Sequence, residues 1–276
     1  MPTAALVAVL VAALLHASWN LLVKASGDRL VTASAQLVLA GLVSVPIVAW
    51  RGFPIEAIWF LLASSVVQVV YLYSLATAYN RADLSFAYPI ARGSAPIIIA
   101  LGSLAGLSTL PGLRGWLALA LICGGVVGLG LASSSRYGLG PSLLTGFLIA
   151  VYISIDGAGV KATADVIGYT ASLTVLTSLL LVPVMLIARG GTQLRRALRS
   201  DWPRFLGGGV ATLGSYGLLL YASRLAPLSL VAAARETSVV FAALGGWWFL
   251  DESVGRRRAL AVTLIAVGMI VLAVGR

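Results

Sequence analysis

An arginine and a glutamate, Arg92 and Glu236, stand 144 residues apart, each about eight residues into an apolar stretch. At the rise of an α-helix that is a depth of roughly 12 Å. An ionisable side chain so deep in a bilayer costs on the order of several kcal/mol unless it is paired or hydrated, so each is a candidate for function. Two chemistries are open to the pair. Arg92 can fork a substrate carboxylate while Glu236 meets an ammonium group, which suits a zwitterion such as an amino acid. Alternatively the two bond each other and lock one helix against another. Arg235 adjoins Glu236 but lies about 100° round a regular helix, so the two cannot both face one cavity squarely.

Other polar residues recur at helical spacing. His16, Trp19 and Asn20 share a face at i, i+3 and i+4. His16 either titrates in a proton-coupled cycle or stays a neutral core histidine, and Trp19 faces either the cavity or the interfacial aromatic belt. Tyr152 and Asp156 form another i, i+4 pair. Asp156 is either hydrated or paired with Lys161 near the helix end, or it joins Glu236 as a proton or cation acceptor. Tyr71, Tyr73, Tyr88, Tyr216 and Tyr221 supply rings with one polar handle, suited to an apolar-bodied ligand with polar groups. Tyr88 is the strongest of these, because Pro89 beside it exposes backbone. The candidate substrate-binding set is His16, Trp19, Asn20, Tyr71, Tyr88, Arg92, Tyr152, Asp156, Tyr216 and Glu236.

These residues need elements to hold them, and ten apolar spans are legible. They run approximately Ala4–Val23, Leu30–Trp50, Ile55–Tyr79, Leu84–Gly106, Gly112–Leu131, Pro141–Val160, Gly168–Ala188, Pro203–Ser223, Pro227–Leu250 and Arg258–Val274. Pro54, Pro111, Pro141, Pro203 and Pro227 stand at or near span openings, where a missing N–H costs nothing. Pro46, Pro89, Pro96 and Pro183 fall inside spans, two of them in the fourth. Between the seventh and eighth spans, Arg195, Arg196 and Arg199 alternate with Leu194 and Leu198 as in a short interfacial helix. The spacings Gly102/Gly106 and Gly124/Gly128 read as close helix packing. Gly207-Gly208-Gly209 reads as either a weak point or close packing.

Composition agrees. Of 276 residues 60% are hydrophobic and 10% charged, with a mean hydropathy of +1.01. A soluble domain carries about 25% charged residues, so the solvent here is lipid, and ten spans of roughly 20 residues fit the length. The net charge of +10 sits in loops, which favours lipid head groups over nucleic acid as partner. A single cysteine, Cys123, excludes an intrachain disulfide.

The halves resemble each other. Leu84, Ser85 and Ser94 recur as Leu228, Ser229 and Ser238. Gly112, Arg114, Ala118, Leu121, Ile122 and Gly125 recur as Gly255, Arg257, Ala261, Leu264, Ile265 and Gly268. Residues 1–136 and 137–276 are thus expected to be two five-helix repeats forming one transmembrane domain. Five is odd, so the second enters the membrane inverted. Both termini then share a side. Twelve of the 19 Lys and Arg residues lie in loops on the other side, which by the positive-inside rule places the termini outside.

Several motifs resemble EamA-type members of the drug/metabolite transporter superfamily: His16-Ala17-Ser18-Trp19-Asn20, Tyr88-Pro89-Ile90-Ala91-Arg92-Gly93, Leu228-Ser229 through Glu236-Thr237-Ser238, and Phe249-Leu250-Asp251-Glu252. The resemblance implies an all-α protein of ten helices in two inverted repeats. The first, third, fourth, sixth, eighth and ninth helices would line a central cavity, with both termini cytoplasmic, opposite to the loop charges. Orientation therefore stays open. The amino acid exporter branch implies aromatic residues facing the cavity at positions matching Tyr88 and Tyr152.

The expected function is secondary export of amino acids or similar small polar metabolites across the inner membrane by alternating access. Protons are the candidate coupling ion, and no cofactor is expected. The alternatives are a multidrug, phosphonate or nucleoside-type permease and a passive channel. An enzyme is disfavoured. One histidine and no G-x-S-x-G argue against a serine protease, Asp156 is the one aspartate in a span, one His and one Cys make no zinc site, and no phosphate-binding G-x-x-x-x-G-K-[ST] occurs.

Overall fold

A computed structural model of the chain describes residues 1–24, 26, 29–82, 84–131, 138–189, 191–241 and 255–274. Its helices are α1 (Thr3–Lys24), α2 (Arg29–Arg51), α3 (Ile58–Arg81), α4 (Leu84–Leu104), α5 (Leu113–Leu131), α6 (Leu139–Ala162), α7 (Val166–Arg189), α8 (Gly191–Ser200), α9 (Trp202–Leu225), α10 (Leu228–Arg235) and α11 (Arg256–Val274). A short 3-10 turn, Ile55–Ala57, leads into α3. No strand occurs among the described residues. Seven of these helices are long and apolar enough to cross a membrane.

Nine of the ten expected spans reappear with ends shifted by a few residues. The ninth is interrupted, and its positions 242–250 lie outside the described residues. Helix α10 stops at Arg235, Glu236 and Thr237 form a turn, and helical backbone resumes over 238–241. The segment Phe249–Glu252 lies outside the described residues. The interfacial helix expected between the seventh and eighth spans is α8, ten residues long, with Arg195, Arg196 and Arg199 exposed.

Side chains are distributed as lipid requires. Large apolar residues point outward, among them Trp59, Ile187 and Leu113. The buried positions of α1 are alanines, Val9 and His16, and serines and threonines are buried throughout. Water would favour the reverse. Between helices in lipid, close packing and hydroxyl bonds supply the attraction. Ser215 of α9 donates to the carbonyl of Ala12 on α1 at 2.8 Å, and Ser178 of α7 to that of Leu37 on α2 at 2.8 Å. Ser74 and Thr145 join α3 to α6 at 2.9 Å.

The packing order carries the repeat. α1 lies on α9 as α6 lies on α3, α4 on α6 as α10 on α1, and α2 on α9 as α7 on α3. α2 meets α7, α4 meets α10 and α5 meets α11. Exchanging the halves turns each contact into another in this set. The crossing of α5 and α11 shows it at atomic scale. A Cβ on Gly125 would lie 3.0 Å from the carbonyl oxygen of Ala261, and one on Gly268 would lie 3.1 Å from that of Ala118. The amine of Met1 donates to the carbonyl of Leu272 at 3.1 Å, so both termini are at one end.

The glycines expected to pack closely, Gly102, Gly106, Gly124 and Gly128, do not. Among the described residues, nothing lies within 4 Å of a Cβ built on Gly124, Gly128 or Gly106, and Gly102 meets only Leu107 of the turn that follows α4. Gly106 serves the turn instead, with φ of 79°. Gly209 does pack closely: a Cβ there would come within 2.5 Å of the carbonyl oxygen of Gln36 on α2. Gly125→Val should therefore destabilise the protein by about 1–3 kcal/mol through overpacking. Gly124→Ala, one residue along on the exposed side, should leave the thermal midpoint in detergent unchanged or slightly raised. Equal losses at both positions would contradict the assigned helix faces.

At the end of the bundle that holds the termini, Arg51 of α2 grips Asp165 between α6 and α7. Its Nε and Nη2 donate to the two carboxylate oxygens at 2.8 and 2.9 Å. These bonds hold the Asp165 carboxyl below its ordinary pKa, and the backbone N–H groups of Gly168 and Ile167 help. A depressed carboxylate contributes stability above its unfolded pKa and loses it as pH falls through the folded value. The wild-type midpoint should fall in that acidic window, and that component should be missing in Asp165→Asn. An identical acid profile in the variant would show that the pair contributes nothing.

Candidate functional site

Helix α4 brings Arg92 against the turn that ends α10. Its Nε donates to Glu236 Oε2 at 3.2 Å, and its Nη2 stands 2.9 Å from Oε1, close in charge but off the line of a hydrogen bond. Both side chains are buried. The Arg92 guanidinium also lies over the Tyr88 ring, 5.9 Å from its centroid. The two residues matched at 144 positions therefore meet each other.

Arg235 leaves the same segment in another direction. Glu236 N–H bonds the carbonyl of Ala233 and Thr237 N–H that of Ala234, a tightened pattern, and the Thr237 hydroxyl also donates to Ala234 at 2.8 Å. Such back-bonding bends helices. The break lets both Arg235 and Glu236 be buried, where a straight helix would leave one of them facing the core less squarely. Arg235 reaches α1, its Nη2 2.8 Å from Nδ1 of buried His16. Its guanidinium lies 5.9 Å from the centroid of the Tyr216 ring.

Asp156 on α6 is fully buried and does not pair with Lys161 at the helix end. Lys161 is exposed. Instead Tyr169 on α7 donates to Oδ1 at 2.9 Å, and Tyr216 on α9 donates to Oδ2 in a short bond. Gln68 on α3 lies 3.5 Å from Oδ2 and donates to Ser64 at 3.1 Å. Tyr152, one turn before Asp156, sits between the rings of Tyr71 and Tyr216, at centroid distances of 5.5 and 6.3 Å.

Nine of the ten candidate residues thus form one connected cluster, from Tyr88 and Arg92 through Glu236 to His16, Tyr216, Tyr152, Tyr71 and Asp156. Trp19 joins by its edge-on contact with His16, 4.9 Å between ring centroids. Asn20 is spent locally: its amide donates to the carbonyl of His16 at 2.7 Å. Tyr73 and Tyr221, considered as cavity rings, face outward at 75% and 43% exposure. Tyr169, Gln68 and Arg235 belong to the cluster and were not among the ten. Arg235 and Gln68 had a legible signal, being polar residues deep in apolar spans.

The charges do not balance pair by pair. Arg92 and Glu236 neutralise each other. Arg235 has no acidic partner among the described residues, and Asp156 has only neutral donors. Tyr216 touches both, its ring under the guanidinium and its hydroxyl on the carboxylate.

A lipid-facing bundle of inverted halves with charges buried at its centre is the build of a membrane transporter. Residues 137–274, half of the chain, match the EamA-like transporter family. The chain belongs to that family, whose members are membrane transporters of the drug/metabolite transporter superfamily. A solved structure described as "Crystal structure of protein" superposes with a TM-score of 0.79 over 100% of both chains at 17% identity, a likeness of fold. No curated protein matches.

Proposed function

We propose that the chain exports amino acids or similar small zwitterions across the inner membrane by alternating access. The observation that carries this reading is the pair of uncompensated buried charges of opposite sign, Arg235 and Asp156, at the two ends of Tyr216. A zwitterion supplies both missing counter-charges at once, and the rings of Tyr71, Tyr88 and Tyr152 suit its apolar body. Arg92 and Glu236 close α4 against α10 in this state, and that contact opens when the units 1–136 and 137–276 rock against each other. Asp156, with no cation bound, is the group that accepts a coupling proton, facing Tyr169, Tyr216, Gln68 and Ser64.

A tolerance screen tests the substrate class. Cells overexpressing the protein are challenged with toxic amounts of each amino acid, then with drugs and phosphonates. Raised tolerance to one or a few amino acids is expected. Tolerance gained only toward drugs or phosphonates would replace the amino acid reading with that of a multidrug or anion permease.

A further inference from the structure

Three buried nitrogens around Arg235 have no hydrogen-bond partner among the described residues: Arg235 Nε, His16 Nε2 and Trp19 Nε1. The chemistry of the contact between Arg235 and His16 fixes what each of them is. A guanidinium only donates, so His16 Nδ1, 2.8 Å from Arg235 Nη2, must accept. Nδ1 then carries no proton, and the neutral ring's hydrogen is on Nε2. The indole nitrogen and Arg235 Nε also only donate. One contiguous group, joined by the Arg235–His16 bond and the His16–Trp19 ring contact, therefore holds three N–H donors without an acceptor.

Among the described residues the two buried carboxylates of the cluster are already engaged. Both Glu236 oxygens face Arg92, and both Asp156 oxygens take tyrosine hydroxyls. An unpaired buried donor loses its water without recompense, and a cationic one loses more. Three together, one of them on an uncompensated guanidinium, describe a site for an acceptor that arrives from outside.

We propose that the seam between α1 and α10 is a carboxylate subsite, in which Arg235, His16 and Trp19 donate to the acid end of the ligand. A carboxylate offers about four lone-pair positions on two oxygens and only accepts when ionised, which fits this set of donors. His16 acts here as a fixed donor through its Nε2–H, held in that tautomer by Arg235. The subsite deepens the zwitterion reading by naming the groups that take its anionic end. The Arg92 guanidinium, engaged by Glu236, is not among them.

The test uses acetate, which isolates the carboxylate from any particular substrate. Purified full-length protein carrying indole-15N tryptophan is titrated with sodium acetate, with ethylammonium and with chloride at constant ionic strength. The Trp19 resonance is identified as the signal lost in Trp19→Phe. Acetate is expected to move that resonance downfield and to raise the thermal midpoint, while ethylammonium does neither. Trp19→Phe, which keeps a ring, and Arg235→Lys, which keeps the charge but loses Nε, should each weaken acetate about tenfold in the midpoint titration.

An unmoved Trp19 signal, or variants that titrate like the wild type, would overturn the subsite. So would chloride acting as well as acetate, since the site would then take any anion. Zwitterion transport that survives both variants undiminished would sink the subsite and leave the transport reading standing. Acetate binding with the expected variant losses but no zwitterion transport would do the reverse.

Discussion

Glu236→Gln should lower the stability of the folded protein by about 3–5 kcal/mol, because it leaves the buried Arg92 guanidinium without its counter-charge. Arg92→Met should cost a similar amount from the other side. The double variant Arg92→Met/Glu236→Met should recover most of the loss, since replacing both members of a buried pair with apolar side chains of similar size is often neutral. Thermal unfolding in detergent, with folded yield from gel filtration, reads all three. The same proteins separate two roles for the pair. If it closes α4 against α10, the double variant folds and keeps measurable exchange at an altered rate. A well-folded double variant with no exchange at any substrate concentration would instead put Arg92 and Glu236 on the substrate itself.

The second large effect is expected at Asp156. Asn there can still accept from one tyrosine hydroxyl and donate to the other, so the contact of α6 with α7 and α9 should survive and the folded yield should stay near wild type. What goes is the negative charge. Losing a buried, hydrogen-bonded charge partner typically costs about 2–5 kcal/mol of binding, so transport efficiency for a zwitterion should fall on the order of 100-fold or more. Proton coupling should go with it. Exchange by the wild type should depend on pH, and exchange by Asp156→Asn should not. Full activity in the variant, or an unchanged pH profile, would return Asp156 to a purely structural place among Tyr169, Tyr216 and Gln68.

Much of this arrangement is readable from residue order. The fourth span, expected at Leu84–Gly106, is helical over Leu84–Leu104, and the apolar run that marks it is the one lipid selects. The match of Arg92 with Glu236 follows from the repeat, and residues matched across a pseudo-twofold between α4 and α10 meet where the axis passes. The matched Gly125 and Gly268 are likewise the two close approaches of α5 and α11.

Other features were illegible for definite reasons. Helices α3 and α9 differ little in hydropathy from face to face, so periodicity could not tell that Tyr71 and Tyr216 face inward while Tyr73 and Tyr221 face out. The spacing of Gly124 and Gly128 marks a stripe of small residues without saying which way it turns, and the packed face is the adjacent one, at Gly125. Arg235 was set aside by assuming a straight ninth helix. The turn at Glu236 and Thr237 removes that assumption, and its signal was the hydroxyl pair Thr237-Ser238 beside two charges in an apolar run. Tyr169, at the start of α7, carries no signal of its own in the sequence, because its place depends on Asp156 being buried within reach of its hydroxyl.

Reconstituted vesicles decide most directly whether opposed buried charges move a zwitterion by alternating access. Proteoliposomes loaded with an unlabelled amino acid identified in the tolerance screen would be given the same amino acid in labelled form outside, with no net gradient of substrate or protons. Saturable accumulation of label, stimulated by internal substrate and cut on the order of 100-fold in Asp156→Asn, is the expected result. Label entry that rises linearly with concentration and ignores what is inside would mean an open pore, and the buried charges would then have no carrier role.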